Sequence, residues 1–177
     1  GLAAAVLAFT ALTAVPVQAT VFYSRSEIPR LAFPDAERVE SKTFFLEPGQ
    51  RRRIEELAHA PLDSNLIEVR IGRRDGQDIG YAFVDSHIVR TLPETLLVVL
   101  DPGGAVRAVH VLAFHEPSEY APSHRWLEQL SGAASPAPLR LGRGITGITG
   151  ATLSSRAVAA ATRRALALYA VLLEGGS

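Results

Sequence analysis

From Leu66 to Phe114 the chain alternates apolar and polar residues with a period of two, and this alternation limits the fold more than any other feature of the sequence. Such a period places successive side chains on opposite faces of a strand. Leu66-Ile-Glu-Val-Arg-Ile71 predicts one strand, Ile79 to Val89 a second, Thr95 to Leu100 a third and Ala105 to Phe114 a fourth. Gly72-Arg-Arg-Asp-Gly-Gln77 separates the first two, and its Asp75-Gly76 pair is a strong hairpin signal. Asp101-Pro-Gly-Gly104 turns the chain before the fourth. Strands joined by turns this short pair with their sequence neighbours, which makes an antiparallel meander. On the last strand Val106, Ala108, His110, Leu112 and Phe114 are expected to share a face.

Helical spacing takes over elsewhere. Arg51 begins a short helix to about Ala60, entered through Glu47-Pro48-Gly49, with His59 in a capping position at its end. A second helix is expected from about Ser123 through Trp126, Leu127 and Leu130. Arg156 to Leu173 contains neither Gly nor Pro, and Val158, Ala161, Ala165, Leu168 or Tyr169 and Leu172 recur as on one helix face. Arg156, Arg163 and Arg164 are expected together on another face. The fold class is therefore α+β, a twisted antiparallel sheet packed by helices. The stretch from Tyr23 to Arg53, with Pro29, Pro34 and Pro48, is expected to run along the surface.

Gly1 to Phe22 has no charged residue and is apolar as far as Val15. About 20 such residues can span a bilayer. Val17-Gln18-Ala19 also resembles a signal-peptidase site, with small residues at the last and third-last positions. A retained anchor and a cleaved signal both place the rest of the chain outside the cytoplasm. The expected organisation is an anchor or signal segment over 1–22, an extension with a short helix over 23–64, and the main domain over 65–177.

Composition excludes several function classes. The formal net charge is zero, which gives no electrostatic support for a nucleic-acid partner. With no Cys there are no disulfides, thiolate metal sites, Cys nucleophiles or attached haem. The histidines (His59, His87, His110, His115 and His124) form no H-E-x-x-H, so no metal ligands are assigned. No G-x-S-x-G occurs. Glu116 and Glu119 lack a neighbouring nucleophile, so no catalytic residue is assigned and the enzyme question stays open.

Gly144-Ile-Thr-Gly-Ile-Thr-Gly-Ala-Thr-Leu-Ser-Ser155 precedes the long helix. Helix N-termini carry free N–H groups and the positive end of the dipole, so they attract anions, phosphate above all. Thr149, Thr152, Ser154 and Ser155 add hydroxyls at the same place. A simple N-cap by Thr152 or Ser154 is one explanation. Gly142, Gly144 and Gly147 spell G-x-G-x-x-G, but Ser135-Pro-Ala-Pro138 precedes them where a strand is needed, and the next acid is Glu174. No Gly-Lys-Ser/Thr follows, which excludes a P-loop.

Thr149-Gly-Ala-Thr-Leu-Ser-Ser155, followed by an Ala/Val-rich helix, resembles the flavin-attachment motif of the FMN-binding domain family. That family includes extracytoplasmic flavin subunits of Rnf and of the sodium-pumping NADH:quinone reductase, and the domain of NosR-type regulators. Glu116-Pro117 and Trp126-Leu-Glu-Gln-Leu130 are similar to the family's Glu-Pro element and the helix after it. The resemblance spans about Leu66 to Leu173, and it implies FMN held by a phosphoester on Thr152, made by a dedicated flavin transferase. It further implies cofactor contacts from Thr149, Gly150, Ala151, Leu153 and Ser154, with His115 and Glu116 along the ring. The family usually has Asp where this chain has Thr146, and glycines where it has Ser118, Glu119 and Tyr120. The implied function is electron transfer between redox partners by an exported, membrane-anchored flavoprotein on the periplasmic side of the inner membrane. A flavin-free structural subunit of a membrane complex and a periplasmic sensor domain are the alternatives.

Overall fold

A computed structural model describes residues 20–137, 139–142 and 144–174. Strands β1 (Thr20–Val21), β2 (Arg38–Phe45), β3 (Leu66–Arg74), β4 (Gln77–Ile88), β5 (Pro93–Leu100) and β6 (Val106–Phe114) form a six-stranded sheet in the order β1-β6-β5-β4-β3-β2. Every neighbouring pair in it is antiparallel. The expected meander is its centre. Asp75 and Gly76 both take positive φ, 52° and 74°, and Arg74 pairs with Gln77 across them. This is the two-residue turn that the twist of a hairpin favours.

Residues 23–64 contribute more than a surface wrapping. Helix α1 (Ile28–Ala32) buries Ile28 and Ala32 on one face of the sheet. β2 pairs with β3 along its whole length, from Arg38 opposite Arg73 to Phe45 opposite Leu66. Helix α2 (Pro48–Ala58) opens on a capping box between Glu47 and Gln50, and His59 closes it in the left-handed conformation, φ 48°. On the opposite face from α1 lies the larger core, where Ile54, Val98, Leu100, Val158 and Ala165 pack together. The smaller core, with Phe33, Leu97, Val99 and Leu112, lies under α1.

β6 departs from the expected alternation. Leu100 and Val99 pair with Val106 and Ala108, so Arg107 is an extra residue; Leu96 and Thr95 pair with Val111 and Ala113, so Leu112 is another. Each bulge reverses the side chains that follow. Val106 consequently belongs to the larger core, whereas Ala108 and Leu112 belong to the smaller one.

β3 and β4 part company halfway. Their last pair is Val69 with Phe83, although β3 extends back to Leu66 beside β2 and β4 extends on to Ile88 beside β5. A cavity of about 490 Å³ opens along this seam, lined by Leu66, Glu68, Val84, Ser86, Arg164 and Ala165 among others.

After β6 come a 3₁₀ turn (Ser118–Tyr120) and helix α3 (His124–Leu127), which continues as 3₁₀ to Leu130. Ser123 caps α3, its Oγ accepting from the Trp126 N–H. Short strands β7 (Arg140–Leu141) and β8 (Gly144–Ile145) pair in parallel. The chain then enters α4 (Thr152–Leu172). Of the expected anchor or signal segment over 1–22, residues 1–19 lie outside the described residues, and Thr20–Val21 form β1 against Ala113 and Phe114. Among the described residues no helix is long and apolar enough to cross a membrane.

Candidate flavin site

The long helix is set by its apolar stripe. Val158, Ala161, Ala165 and Leu168 are all buried beneath it, as their spacing requires. Arg156 and Arg163, seven residues apart, lie on one side of the helix with Arg164 next to it, but the three meet different surroundings. Arg156 is exposed, Arg163 donates to the carbonyls of Ala58 and Leu139 at 2.7 Å each, and Arg164 grips Asp85 with two bonds of 2.7 Å. Residues 163 and 164 are adjacent, so they lie about 100° apart around the helix and reach different neighbours.

The N-terminus differs from the capped end that the sequence suggested. The cap position is Ala151, Thr152 is already helical, and no side chain caps the first turn. Ser155 turns inward instead. Its Oγ accepts from the Ile148 N–H at 3.0 Å and donates to the Ala151 carbonyl at 3.0 Å. The first intrahelical bond at this end is Ser155 N–H to Ala151 O. Among the described residues, therefore, the N–H groups of Thr152, Leu153 and Ser154 have no side-chain cap. The hydroxyl of Thr152 lies on an exposed residue beside them, next to exposed Thr149, Gly150 and Leu153. Ala151 and Ser154 are buried. Gly150 has φ 79°, which turns the chain into the helix, and no atom lies within 4 Å of where a Cβ would stand on it or on Gly147. A phosphate could approach this loop without a clash, and the dipole of a 21-residue helix would favour it.

Helix α3 closes on the loop from the other side. The Trp126 indole N–H donates to the Thr146 carbonyl at 2.6 Å, and the Thr146 N–H donates to Gln129 Oε1 at 2.9 Å. Trp126 also packs on the larger core, as an anchor residue would. The aromatic at 126 and the amide three residues on were visible in the sequence; that their target is the loop backbone was not.

His115 and Glu116 serve the turn between β4 and β5. The Nδ1 of His115 lies 2.9 Å from the Pro93 carbonyl. Glu116 Oε1 accepts from the N–H groups of Thr91 and Leu92 at 2.8 and 3.0 Å. The Thr91 N–H bond, foremost, holds the Glu116 carboxyl below its usual range. Arg90 stacks over Tyr120 at 5.1 Å. Among the described residues no hydrogen bond joins His115 or Glu116 to the Gly/Thr loop. They do lie at the end of the sheet toward which α4's N-terminus points. Tyr169 sits against Gly104, where a Cβ would come within 2.1 Å of its ring, and its hydroxyl donates to the Pro102 carbonyl at 3.1 Å. Five residues earlier Arg164 meets Asp85, which pairs with Leu96. The helix thus runs back from the Leu100 end of β5 toward its Pro93 end.

A buried charge cluster, missed in the sequence, lies under α4. Asp85 and His87 alternate onto one face of β4, and Glu94 stands opposite His87 on β5. The His87 ring bridges Asp85 at 2.7 Å and Glu94 at 2.9 Å. Burial opposes the charge on His87, but the bonds to Asp85 and Glu94 outweigh it and raise its pKa to about 9. Burial likewise opposes the Asp85 carboxylate, yet the bonds from His87 and Arg164 hold it down at about 2. The visible signal was the D-x-H spacing on a strand; its partner, Arg164, is distant in sequence. Among the described residues no group of three or more potential ligands is arranged to hold a metal.

The seam cavity is a separate feature. Its first lining residue on α4 is Ala161, about 14 Å along the axis from Thr152, which is too far for it to hold a phosphate on that hydroxyl.

Comparison with known families found a match. Residues 92–167 match the model of the FMN-binding domain family. FMN is accordingly the indicated cofactor. The match takes in β5, β6, α3, the Gly/Thr loop and most of α4, and so contains every expected site residue from His115 to Ser154. No curated protein matches the chain.

Proposed function

We propose that this chain is an exported, membrane-anchored flavoprotein that carries FMN on Thr152 and passes electrons between protein partners. One observation supports it above the rest: an exposed threonine stands at the uncapped start of a long helix, behind an open glycine loop, inside the stretch that matches the FMN-binding domain. The N–H groups of Thr152, Leu153 and Ser154 would hold the phosphate, and Thr149, Gly150 and Ala151 would form the wall beside it. His115 and Glu116 would border the ring. FMN supplies the electron chemistry when bound, and the protein supplies position and surroundings. A flavin transferase would make the phosphoester. The uncharged residues before Thr20 would hold the domain on the periplasmic side of the inner membrane.

The test is an absorption spectrum and an intact mass of chain made alongside an active flavin transferase, before and after acid precipitation. Flavin that stays with the denatured polypeptide, and is lost in Thr152→Ala, is the expected result. Flavin released by acid would reject the phosphoester but keep the cofactor. No flavin at all would leave the structural-subunit alternative.

A further inference from the structure

We propose that Trp126 and Gln129 are positioning residues for flavin attachment, holding the Gly/Thr loop in the shape that presents Thr152. The proposal rests on the Thr152 reading above.

Both main-chain polar groups of Thr146 are taken up by side chains of one neighbouring element. The carbonyl accepts from the Trp126 indole at 2.6 Å, and the N–H donates to Gln129 Oε1 at 2.9 Å. Gln129 Nε2 in turn donates to the Trp126 carbonyl at 2.9 Å. That third bond fixes which end of the amide faces the loop, because only the oxygen can accept from Thr146. The three bonds close a ring around one residue, Thr146. Two residues further on, Ile148 is held by Ser155 from the helix itself. The Ala151 N–H also donates to the Ile148 carbonyl at 3.0 Å, so the loop has a fixed front and a fixed back, and the free span between them is only Thr149-Gly150. A glycine-rich segment left loose would have to give up backbone entropy at each residue whenever the attachment enzyme or the phosphate ordered it. Ordering it beforehand removes that cost from the attachment step.

The clamp also accounts for a departure from the family pattern. Thr146 stands where the family usually has Asp, and its side chain is exposed while its backbone does the bonding. A clamp on backbone atoms is indifferent to the side chain at that position. The residue type at 146 is therefore free to vary here, whereas the residue types at 126 and 129 are not.

The experiment uses the full chain made with an active flavin transferase, and follows added FMN mass over time in four variants. Gln129 is exposed, so Gln129→Leu leaves the core alone. Trp126→Phe keeps a ring for packing and removes the donor. We expect attachment to slow three- to tenfold in both. Gln129→Glu keeps an acceptor for the Thr146 N–H and should recover part of the rate. Thr146→Ala should attach at the wild-type rate. A second readout does not depend on flavin: amide exchange of the segment holding Thr146 to Ile148 should quicken in Gln129→Leu and Trp126→Phe, with β5 unchanged. Trp126 is the single tryptophan, so its emission reports the clamp directly. If Gln129→Leu and Trp126→Phe attach FMN as fast as wild type, or leave loop exchange unchanged, the positioning role is wrong. If Thr146→Ala slows attachment as much as they do, the side chain matters and the backbone argument fails. If wild-type chain gains no FMN mass, the Thr152 reading falls and takes the role with it; quickened loop exchange would then mark the clamp as purely structural.

Discussion

At the scale of single residues, the chemistry concentrates in two places that treat charge oppositely. Thr152 carries a neutral hydroxyl on an exposed residue, next to N–H groups that no side chain caps. Thr152→Ala should abolish attachment and Thr152→Ser should retain part of it, as read by intact mass. Asp85, His87, Glu94 and Arg164 instead neutralise one another out of water. The raised His87 pKa contributes stability that is complete below about pH 6.5 and is lost as pH rises through about 9. The depressed Asp85 pKa contributes stability that is complete above about pH 4 and is lost as pH falls through about 2. The contribution of the Asp85–His87 pair should therefore be flat from about pH 4 to 6.5 and decline on the alkaline side, by no more than roughly 3 kcal/mol from His87, while burial, which lowers the His110 pKa, should make the urea midpoint fall as pH drops below about 6.5. His87→Gln should remove most of that alkaline decline. Asp85→Asn should cost about 3 kcal/mol, because it strands the Arg164 guanidinium beneath the helix; a loss under 1 kcal/mol in urea unfolding would show the pair to be solvated.

At the scale of elements, what was legible in the sequence was whatever a local rule governs. The central hairpin, the four meander strands, α2 with its Glu47 entry and the long α4 all follow from period, turn chemistry and capping. β2 escaped notice because Arg38-Val-Glu-Ser-Lys-Thr-Phe-Phe45 is a half-exposed edge strand, in which alternation carries little apolar contrast. The bulges at Arg107 and Leu112 escaped because an extra residue is set by the partner strand, not by the strand's own sequence. Within the site, the motif stretch could be read directly. The inward turn of Ser155 and the reach of Trp126 depend on long-range packing, and the N-cap expected from Thr152 or Ser154 gave way to them. Helix α4 is located at its far end by Gly104, whose φ of 85° suits glycine and whose missing Cβ admits the Tyr169 ring. Gly104→Ala should destabilise the fold by about 2–4 kcal/mol, measured by urea unfolding. A change under 0.5 kcal/mol would mean that the ring has room to move.

At the scale of the whole molecule, the matched stretch begins at residue 92, and the elements before it complete the sheet and wall off the helix. Their attachment to it is uneven. β2 and β3 are fully laced to each other, but the β3–β4 ladder runs only from Val69–Phe83 to the Asp75-Gly76 turn. A ribbon sewn along half its length behaves as a flap on a hinge. Thermal motion should lift the Leu66–Glu68 end of the β2–β3 ribbon far more often than the turn end, and deuterium should enter that end first. A tether between the two free lips, by Glu68→Cys and Ser86→Cys in this cysteine-free chain, would be expected to slow opening only if the lips approach within disulfide reach. Should the two ends of β3 exchange at one rate, the seam is stiff and the sheet moves as a single plate. Otherwise the domain has a preferred place of yielding, the Leu66–Glu68 corner, which lies toward the Pro93 end of the sheet and across β4 and β5 from β6.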